Sequence, residues 1–479
     1  MDYSQFICMV PEITLMLMLI VVFIADMMLD DEGKRYNAFY YLTASLLVVQ
    51  CWACLSTIPG KAFGGLYNAT DAANLMKAIL TAGSAIVVMM AQPWLRRDSV
   101  IKREGEFYEL IISTLLGMYI MMSSGHFLLF FLGLEMASVP MACLVAFDKK
   151  SRESAEGAAK FILMATFSSG VMLYGISFIY GAVGTLYFED VAAAIQVSPL
   201  TIMGLVFFFS GLAFKISLVP FHFWTADSYQ GAPTPVTGYL SVVSKGAAAF
   251  TLMVILTKVF GTLIEYWNYL LYITIVMSIT VANLFAIRQR ELKRFLAFSS
   301  ISQAGYIMLA ILGVNYLSMA SLIYYILVYV VANLSVFAVI CIVEQRYKST
   351  YISRYNGFYK KNPKLAFLMT LALFSLAGIP PFAGMFSKFF VFMAAARHGE
   401  LLAYVVLFVA LINTVVSLYY YLLIVKAMYI TPEDDIPEHL AQPIVVPTCC
   451  KLALGICTFG IVVFGVFSYI YDRIYFIIS

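Results

Sequence analysis

Apolar runs of about 20 residues recur from one end of this chain to the other, separated by short polar connections. A helix of that length crosses a bilayer core about 30 Å thick. We count about fourteen such runs, at approximately 9–28, 37–57, 73–93, 107–123, 126–147, 155–181, 198–229, 235–260, 267–287, 295–314, 317–345, 364–397, 401–428 and 451–473. The pattern predicts an all-α polytopic membrane protein whose seventh and twelfth helices are long and interrupted.

The composition supports this prediction and leaves no room for a soluble domain of ordinary size. Of 479 residues, 62% are hydrophobic and 12% are charged, whereas a soluble domain carries about a quarter charged residues. The longest polar stretches are roughly 344–364 and 431–451. The first run has no basic segment before it, so we expect a first membrane span rather than a cleaved signal peptide.

Basic residues alternate between the connections. They cluster in the first, third, fifth, ninth and eleventh, whereas the opposite set contains little beyond Lys61 and Arg397. The clusters are Lys34/Arg35, Arg96/Arg97/Lys102/Arg103, Lys149/Lys150/Arg152, Arg288/Arg290/Lys293/Arg294 and the basic residues between Arg346 and Lys364. Because cytoplasmic loops are enriched in Lys and Arg, odd-numbered connections are predicted in the cytoplasm and both termini on the outer side.

Two similar segments interrupt the seventh and twelfth runs. "GLAFKISLVPF" (211–221) aligns with "ALFSLAGIPPF" (372–382) at a shift of 161 residues, and the same shift places the fourth to eighth runs on the ninth to thirteenth. Five helices is an odd number, so the second copy is inverted, as in many transporters. We predict three N-terminal helices in 1–104, a first repeat in 105–260, an inverted repeat in 261–428, and a loop and last helix in 429–479.

Among the ionisable residues inside predicted spans, five stand out because they are not explained by a position near a span end: Glu135, Lys160, Lys215, Lys245 and Lys388. A charge at the bilayer centre costs about 2.5 to 3.5 kcal/mol even on insertion scales. One carboxylate cannot neutralise several lysines, so some lysines must be hydrated or deprotonated. Burial disfavours a charged lysine and a nearby carboxylate favours it, and a lysine under both influences can exchange protons. The pattern indicates a proton relay; the open alternative is a scaffold whose charges only hold helices together.

The position of each polar group along its helix refines these expectations. Lys215 lies at the C-terminal end of a half-helix, where the helix dipole favours a cation. Lys388 lies in the first turns of another half-helix, where the dipole disfavours a cation.

Lys77 is near the outer end of its span, so we expect its side chain to reach the surface. His222 either joins the relay or packs at the helix break, and Asp227 is expected to act as a cap or ion-pair partner.

Other polar motifs give weaker signals. Ser299, Ser300, Ser302 and Gln303 form a polar face on the tenth span, which could support a water chain or simply interhelical hydrogen bonds. Cys51 and Cys54 form a CxxC pair in an apolar helix, without a second ligand pair, so we interpret them as packing residues. No nucleotide, flavin, iron–sulfur or haem motif is present.

Several stretches resemble the antiporter-like subunits of respiratory complex I, over about residues 105–425. These are "LVPFHFWTADSYQGAPTPVTGYLSVVSKGAA", "ELKRFLAFSSISQAGY" and "LAGIPPFAGMFSKFFVF". Three features favour the subunit N branch, the counterpart of mitochondrial subunit 2: the chain stops after fourteen spans, Lys388 stands where subunit M typically has a glutamate, and "EGAAKFILMATFSSGVMLYG" resembles the sixth helix of subunit N. Gln230 departs from the family, which usually has an acidic residue there.

The resemblance implies a proton relay of Glu135, Lys160, Lys215, Lys245 and Lys388, with His222 near the path. It implies a subunit of an NADH:quinone oxidoreductase, an enzyme and translocase of the bacterial inner membrane, in which quinone reduction drives proton translocation. This chain would bind no cofactor or metal, since NADH, FMN, iron–sulfur clusters and quinone bind to other subunits. Its partners would be the other membrane and peripheral subunits, neighbouring antiporter-like subunits and lipid, and no nucleic acid. The alternative is a subunit of a multisubunit Na⁺/H⁺ antiporter or membrane-bound hydrogenase.

Overall fold

The computed structural model describes residues 3–28, 32–96, 103–313, 316–430, 442–467 and 469–479, and these residues are overwhelmingly helical. Within these ranges, twelve helices are long and apolar enough to cross a membrane. Two shorter apolar helices, Pro363–Ala377 and Ala383–Ala396, follow one another. The prediction of an all-α polytopic membrane protein is therefore confirmed, whereas the count of fourteen spans remains a prediction.

The elements follow the predicted runs closely. A 3₁₀ segment, Tyr3–Met9, leads into the first helix, and a π-helical segment, Leu240–Ser244, joins α10 to α11. The helices are α1 (Val10–Met28), α2 (Glu32–Ser56), α3 (Asp71–Leu95), α4 (Glu104–Met122), α5 (Phe127–Val145), α6 (Arg152–Val183), α7 (Phe188–Ala194), α8 (Pro199–Ile216), α9 (Phe223–Gly231), α10 (Thr234–Tyr239), α11 (Lys245–Lys258), α12 (Ile264–Ile287), α13 (Leu292–Leu309), α14 (Tyr316–Tyr347), α15 (Phe358–Lys361), α16 (Pro363–Ala377), α17 (Ala383–Ala396), α18 (Leu401–Tyr429), α19 (Thr448–Val466) and α20 (Tyr469–Ile478).

The only paired strands within the described ranges form a short hairpin between α2 and α3. Strands β1 (Gly60–Ala62) and β2 (Tyr67–Ala69) are antiparallel, and Gly60 lies opposite Ala69. The side chain of Tyr67 points into the protein and is buried. The hairpin therefore covers one end of the N-terminal helices.

Two of the predicted runs are broken where the sequence indicated. The seventh run divides into α8 and α9, and the twelfth divides into α16 and α17. The first half of each ends in a left-handed residue, Ser217 (φ 68°) or Gly378 (φ 91°). In each break the next amide donates to a carbonyl five residues earlier: Leu218 to Ala213 at 2.9 Å, and Ile379 to Phe374 at 3.0 Å. The same type of hydrogen bond therefore closes both breaks, and the two bonds are separated by the 161-residue shift of the predicted repeat. The repeat itself remains a prediction.

The last predicted run, 451–473, was wrong as a single helix. Helix α19 ends at Val466, and α20 begins at Tyr469. Phe467 is extended (φ −104°, ψ 92°), which interrupts the helical hydrogen bonding. In α20 the side chains of Tyr471 and Ile474 are buried while Asp472 and Arg473 are exposed, so this short segment packs one apolar face against the protein.

The connections gather on two opposite faces in the order that the charge pattern predicts. The ninth and eleventh connections meet through a β-bridge between Glu291 and Tyr351, and the fourth and sixth meet through one between His126 and Tyr187. Odd-numbered connections therefore contact odd ones, and even-numbered connections contact even ones. Which face is cytoplasmic remains a prediction. Of the basic residues behind it, Arg97 and Lys102 lie outside the described residues.

Candidate functional site

Three of the predicted lysines lie deep inside the protein. The exposed fractions of Lys215, Lys245 and Lys388 are 4%, 2% and 4%. Among the described residues none of the three amines has a carboxylate within ion-pairing distance, 4 Å. Each instead donates a hydrogen bond to a neutral oxygen. Buried lysines without fixed counter-ions are costly, which makes these three positions candidates for proton exchange.

Lys215 is the penultimate residue of α8, next to the first helix break. Its Nζ donates to the Oγ of Ser138 at 2.7 Å and lies 5.9 Å from the centre of the Phe161 ring. Ser138 in turn donates to the carbonyl of Leu134 at 2.6 Å. The amine thus lies at the C-terminal end of its half-helix, where the helix dipole favours a cation.

Glu135 lies one turn before Ser138 on α5 and is partly buried. It is close enough to Lys215 for the two charges to interact, although they do not form a direct ion pair. Ser138, which contacts the lysine, lies on the same face of α5 because residues three apart are neighbours on a helix. The structure therefore brings Glu135 and Lys215 together, with a hydroxyl group beside them.

Lys160 is placed differently from the other predicted residues. It is exposed on α6, and its Nζ contacts Asp227 at 2.7 Å and Glu156 at 2.7 Å. Asp227 also pairs with Arg294 at 2.7 Å. The expectation that Asp227 is an ion-pair partner is thus met, whereas Lys160 lies on the surface of this chain and apart from the buried lysines.

Lys245 begins α11, directly after the π-helical segment. Its Nζ donates to the Oγ of Ser300 at 2.6 Å and lies 5.3 Å from the centre of the Tyr229 ring. Tyr229 also contacts Ser300, at 3.3 Å between the two hydroxyl oxygens. π-helical turns occur frequently at functional sites, and this one directly precedes Lys245, which we call the central lysine.

Neutral polar side chains continue from Lys245 along α13. The hydroxyl groups of Ser299 and Tyr421 are in contact, and Gln303 Nε2 donates to the Tyr421 hydroxyl at 3.4 Å. The same Nε2 lies 3.4 Å from the carbonyl of Leu376, at the end of α16. The Oε1 of Gln303 accepts a hydrogen bond from Tyr325. The polar face predicted on the tenth span therefore links Lys245 to the second helix break.

Lys388 lies beyond that break, on α17, but its amine reaches back across it. The Nζ donates to the carbonyl of Ala377 at 2.9 Å and lies 5.0 Å from the centre of the Tyr306 ring. Ala377 is the last residue of α16, where carbonyl groups are unpaired and the dipole favours a cation. The flexible side chain thus carries the amine to the end of the other half-helix, and the expected effect of the dipole at Lys388 stays a prediction.

His222 occupies the first break, at the start of α9. It is buried, and its ring packs on Phe223 at 4.7 Å between centres. Its Nδ1 is buried without a partner, and the ring is near enough to Lys245 for electrostatic interaction. The ring contact with Phe223 fits packing at the break and the unpartnered nitrogen fits a place on the path, so the role of His222 remains a prediction.

Lys77 differs from the three central lysines because it has a fixed counter-ion. It is fully buried and pairs with Glu12 at 2.7 Å. Tyr67 accepts a hydrogen bond from Lys77 at 3.1 Å and donates one to Glu12 at 2.7 Å. The expectation that Lys77 reaches the surface was wrong, because the hairpin covers this end of α3 and Glu12 compensates the charge.

Sequence reasoning missed several residues that complete the site. Ser138, Tyr325, Tyr421 and Asn333 all hydrogen-bond within the polar interior. Ser138 could have been found, since it lies one turn from Glu135 on the same helix face. The others are neutral side chains on apolar helices, and only the tertiary contacts distinguish them. No three His, Cys, Asp or Glu side chains within the described ranges gather closely enough to hold a metal ion.

A family model described as "NADH:quinone oxidoreductase/Mrp antiporter, TM" matches residues 124–414. The chain belongs to this family. The matched region runs from just before α5 into α18 and includes all the predicted relay residues. Family membership thus covers the part of the molecule in which the buried lysines and both helix breaks lie.

Family members similar over their full length include two proteins called NADH-quinone oxidoreductase subunit N. The one from Phocaeicola vulgatus is 56% identical over 474 residues, 98% of each chain. The one from Azobacteroides pseudotrichonymphae is 48% identical over 476 residues, which are 99% of this chain and 98% of the relative.

Solved structures of the family have the same fold. A chain of respiratory complex I from Thermus thermophilus with bound aureothin is 30% identical, with a TM-score of 0.80 over 95% of this chain and 96% of that one. A chain of the Mrp complex from Dietzia has a TM-score of 0.86 over 100% of this chain and 97% of that one, at 18% identity. At that identity, the second likeness shows the fold alone.

Proposed function

We propose that this chain is a proton-translocating, antiporter-like membrane subunit of a bacterial NADH:quinone oxidoreductase, in the position of subunit N. It lies in the inner membrane with both termini on the outer side, and its partners are the other subunits of the complex. NADH, FMN, the iron–sulfur clusters and quinone bind to those other subunits. Electron transfer there drives proton movement through this chain, which holds no redox centre of its own.

One observation carries the proposal: three lysines are buried inside the protein with neutral hydrogen-bond partners. Ser138, Ser300 and the Ala377 carbonyl accept their hydrogen bonds. A lysine that only holds helices together needs a fixed counter-ion, as Lys77 has in Glu12. The absence of such partners at the three central positions favours amines that exchange protons over a scaffold.

Each residue has a distinct role in this relay. Glu135 modulates the charge of Lys215, the central amine of Lys245 accepts and releases protons, and Lys388 exchanges them at the second break, in the inverted repeat. His222 lies beside the path near Lys245. Lys160 acts at the surface, where its pairing with Asp227 sets the charge beside Arg294.

The alternative of a Na⁺/H⁺ antiporter or hydrogenase subunit has less support. The relatives that are 56% and 48% identical over nearly the whole chain are called NADH-quinone oxidoreductase subunit N, whereas the Mrp likeness is 18% identical. A sodium gradient would also drive an antiporter without NADH. Sodium-dependent proton movement in vesicles that lack NADH would therefore favour the alternative.

The test begins with the complex purified through a tag on this chain and reconstituted into vesicles. We expect flavin and iron–sulfur subunits to copurify and NADH to drive acidification. Replacing Lys215 by Ala should lower pumping per assembled complex several-fold, because a positioned proton carrier is lost. The matched control is Lys451→Ala, an exposed lysine on α19. Normal pumping by assembled Lys215→Ala complexes would favour the scaffold and contradict the relay.

A further inference from the structure

A small polar cavity opens where the third, fifth, seventh, ninth and eleventh connections meet. Its volume is about 200 Å³, and charged side chains from several connections line it, among them Asp148, Lys293, Glu344 and Lys348. Lys293 is almost fully buried and donates to the carbonyl of Ala232 at 2.9 Å. This face is the cytoplasmic one if the positive-inside prediction holds. The cavity therefore offers an opening from the cytoplasmic side to the N-terminal end of α10.

Glu344 lines this cavity near the end of α14 and is partly buried. Its carboxylate accepts a hydrogen bond from the hydroxyl of Thr234, the first residue of α10. Helices α10 and α11 and the π segment between them form one apolar span, Thr234–Lys258. Lys245 is therefore about three turns, or roughly 16 Å, further along the same helix as the residue that contacts Glu344.

Deeper in the protein, polar side chains of α14 and of the α10–α11 span lie close to Lys245. Asn333, three turns before Glu344 on α14, donates to the Oγ of Ser241 at 2.8 Å and to the hydroxyl of Tyr329 at 3.2 Å. Ser300 accepts the hydrogen bond from Lys245 at 2.6 Å, and the Tyr329 hydroxyl lies near it. Polar side chains therefore lead from Asn333 towards the central amine.

An apolar layer separates the two polar parts. Gly238 lies between Thr234 and Ser241, and α14 places Leu334 and Phe337 against it. A Cβ at Gly238 would lie 3.2 Å from Leu334 Cδ2 and 3.5 Å from Phe337 Cβ and Cγ. The helices are in close contact here, and among the described residues no side-chain hydrogen bond joins Thr234 or Glu344 to Ser241 or Asn333, so a proton needs water to pass this layer.

We propose that Glu344 is the carboxylate that collects protons for Lys245, and that Phe337 and Leu334 against Gly238 close the path between them. Glu344 takes a proton from cytoplasmic water and releases it inward when water enters the layer. The proton then passes along the hydroxyl groups beside Asn333 to the unprotonated amine of Lys245. Asn333 acts as a positioning residue. This inference rests on the proposed function.

The experiment uses the reconstituted complex, with NADH-driven pumping expressed per assembled complex. Glu344→Gln should lower pumping several-fold, and Glu344→Asp should restore most of it. Asn333→Leu should also lower it, and the double variant should be no worse than the poorer single one, because both residues serve one path. The control is Glu106→Gln on the same face, whose side chain is 55% exposed and pairs with Arg103.

The outcomes separate the two claims. Normal pumping by Lys245→Ala would overturn the proposed function. Deficient Lys245→Ala together with Glu344→Gln that pumps like the control would overturn the assignment of Glu344 alone. If the loss of pumping in the double variant equals the product of the two single losses, the two residues act on separate paths. That result would also overturn the assignment of Glu344. If Glu344→Gln does not assemble, Thr234→Val, which removes the hydroxyl donor to the carboxylate, takes its place and should lower pumping; normal pumping there would contradict the assignment.

Discussion

Replacing Lys77 by Met should destabilise this chain strongly without altering the central lysines. Lys77 and Glu12 are an ion pair with side chains 0% and 6% exposed. Methionine keeps the length of the lysine side chain and removes its charge, so the carboxylate of Glu12 remains buried without its counter-ion. Tyr67 still donates a hydrogen bond to that carboxylate, at 2.7 Å. Because the wild type already has this bond, it does not compensate for the stabilisation lost with the lysine charge.

The size of the effect follows from the burial of the pair. Removing one partner of a buried ion pair costs about 3–5 kcal/mol, whereas replacing both by apolar residues is often neutral or stabilising. We therefore expect the double variant Glu12→Leu/Lys77→Met to be more stable than Lys77→Met alone. The exposed pair of Lys61 and Glu189, with side chains 53% and 72% exposed, is the matched control. Lys61→Met should cost less than about 1 kcal/mol.

The assay is the thermal loss of this chain from the solubilised complex, followed by quantitative mass spectrometry of the soluble fraction. A change of about 3 kcal/mol should lower the apparent Tm of Lys77→Met by several degrees, with little change for Lys61→Met. Pumping per intact complex should stay near the wild-type value, since Lys77 is not on the proposed path. An unchanged Tm for Lys77→Met, or a double variant less stable than the single one, would refute the reasoning.

Three further predictions concern the relay. Ser300→Ala should lower pumping several-fold with normal assembly, because Lys245 loses the acceptor of its hydrogen bond; normal pumping would mean that another oxygen serves equally well. Gly378→Ala should cost about 1–3 kcal/mol in thermal stability because φ is 91° there, and its new Cβ, 3.1 Å from Cδ of Lys388, should also lower pumping. Lys160→Met should change the apparent Tm little, since solvent screens exposed ion pairs and leaves them a small contribution to stability; a loss of several degrees would show that the pair is structural.

Much of the fold could be predicted from the sequence because lipid imposes a strict pattern. Apolar runs near 20 residues mark helices, and Pro220 and Pro381, which cannot continue a helix, mark the two breaks. The division between α19 and α20 was not predictable in the same way. Both segments are apolar, and the break lies at the extended backbone of Phe467, a residue type that gives no break signal of its own.

The candidate site was predictable where charge stands out against lipid. Lys215, Lys245 and Lys388 were identified because an amine in an apolar run is conspicuous, and all three are buried. Their partners could not be predicted, since a neutral oxygen such as the Ala377 carbonyl carries no sequence signal. The counter-ion of Lys77 was missed for a related reason: Glu12 is 65 residues away at the start of another helix, and only tertiary packing brings the two together.

The number of protons moved per NADH oxidised by reconstituted complexes that carry Lys245→Ala tests the central claim most directly. Lys245 is the most deeply buried of the three central amines and contacts Ser300 rather than a carboxylate. If its amine carries protons, complexes that assemble normally should move fewer protons per NADH than the wild type. An unchanged ratio in fully assembled complexes would contradict the account, because protons would then cross without the amine at its centre.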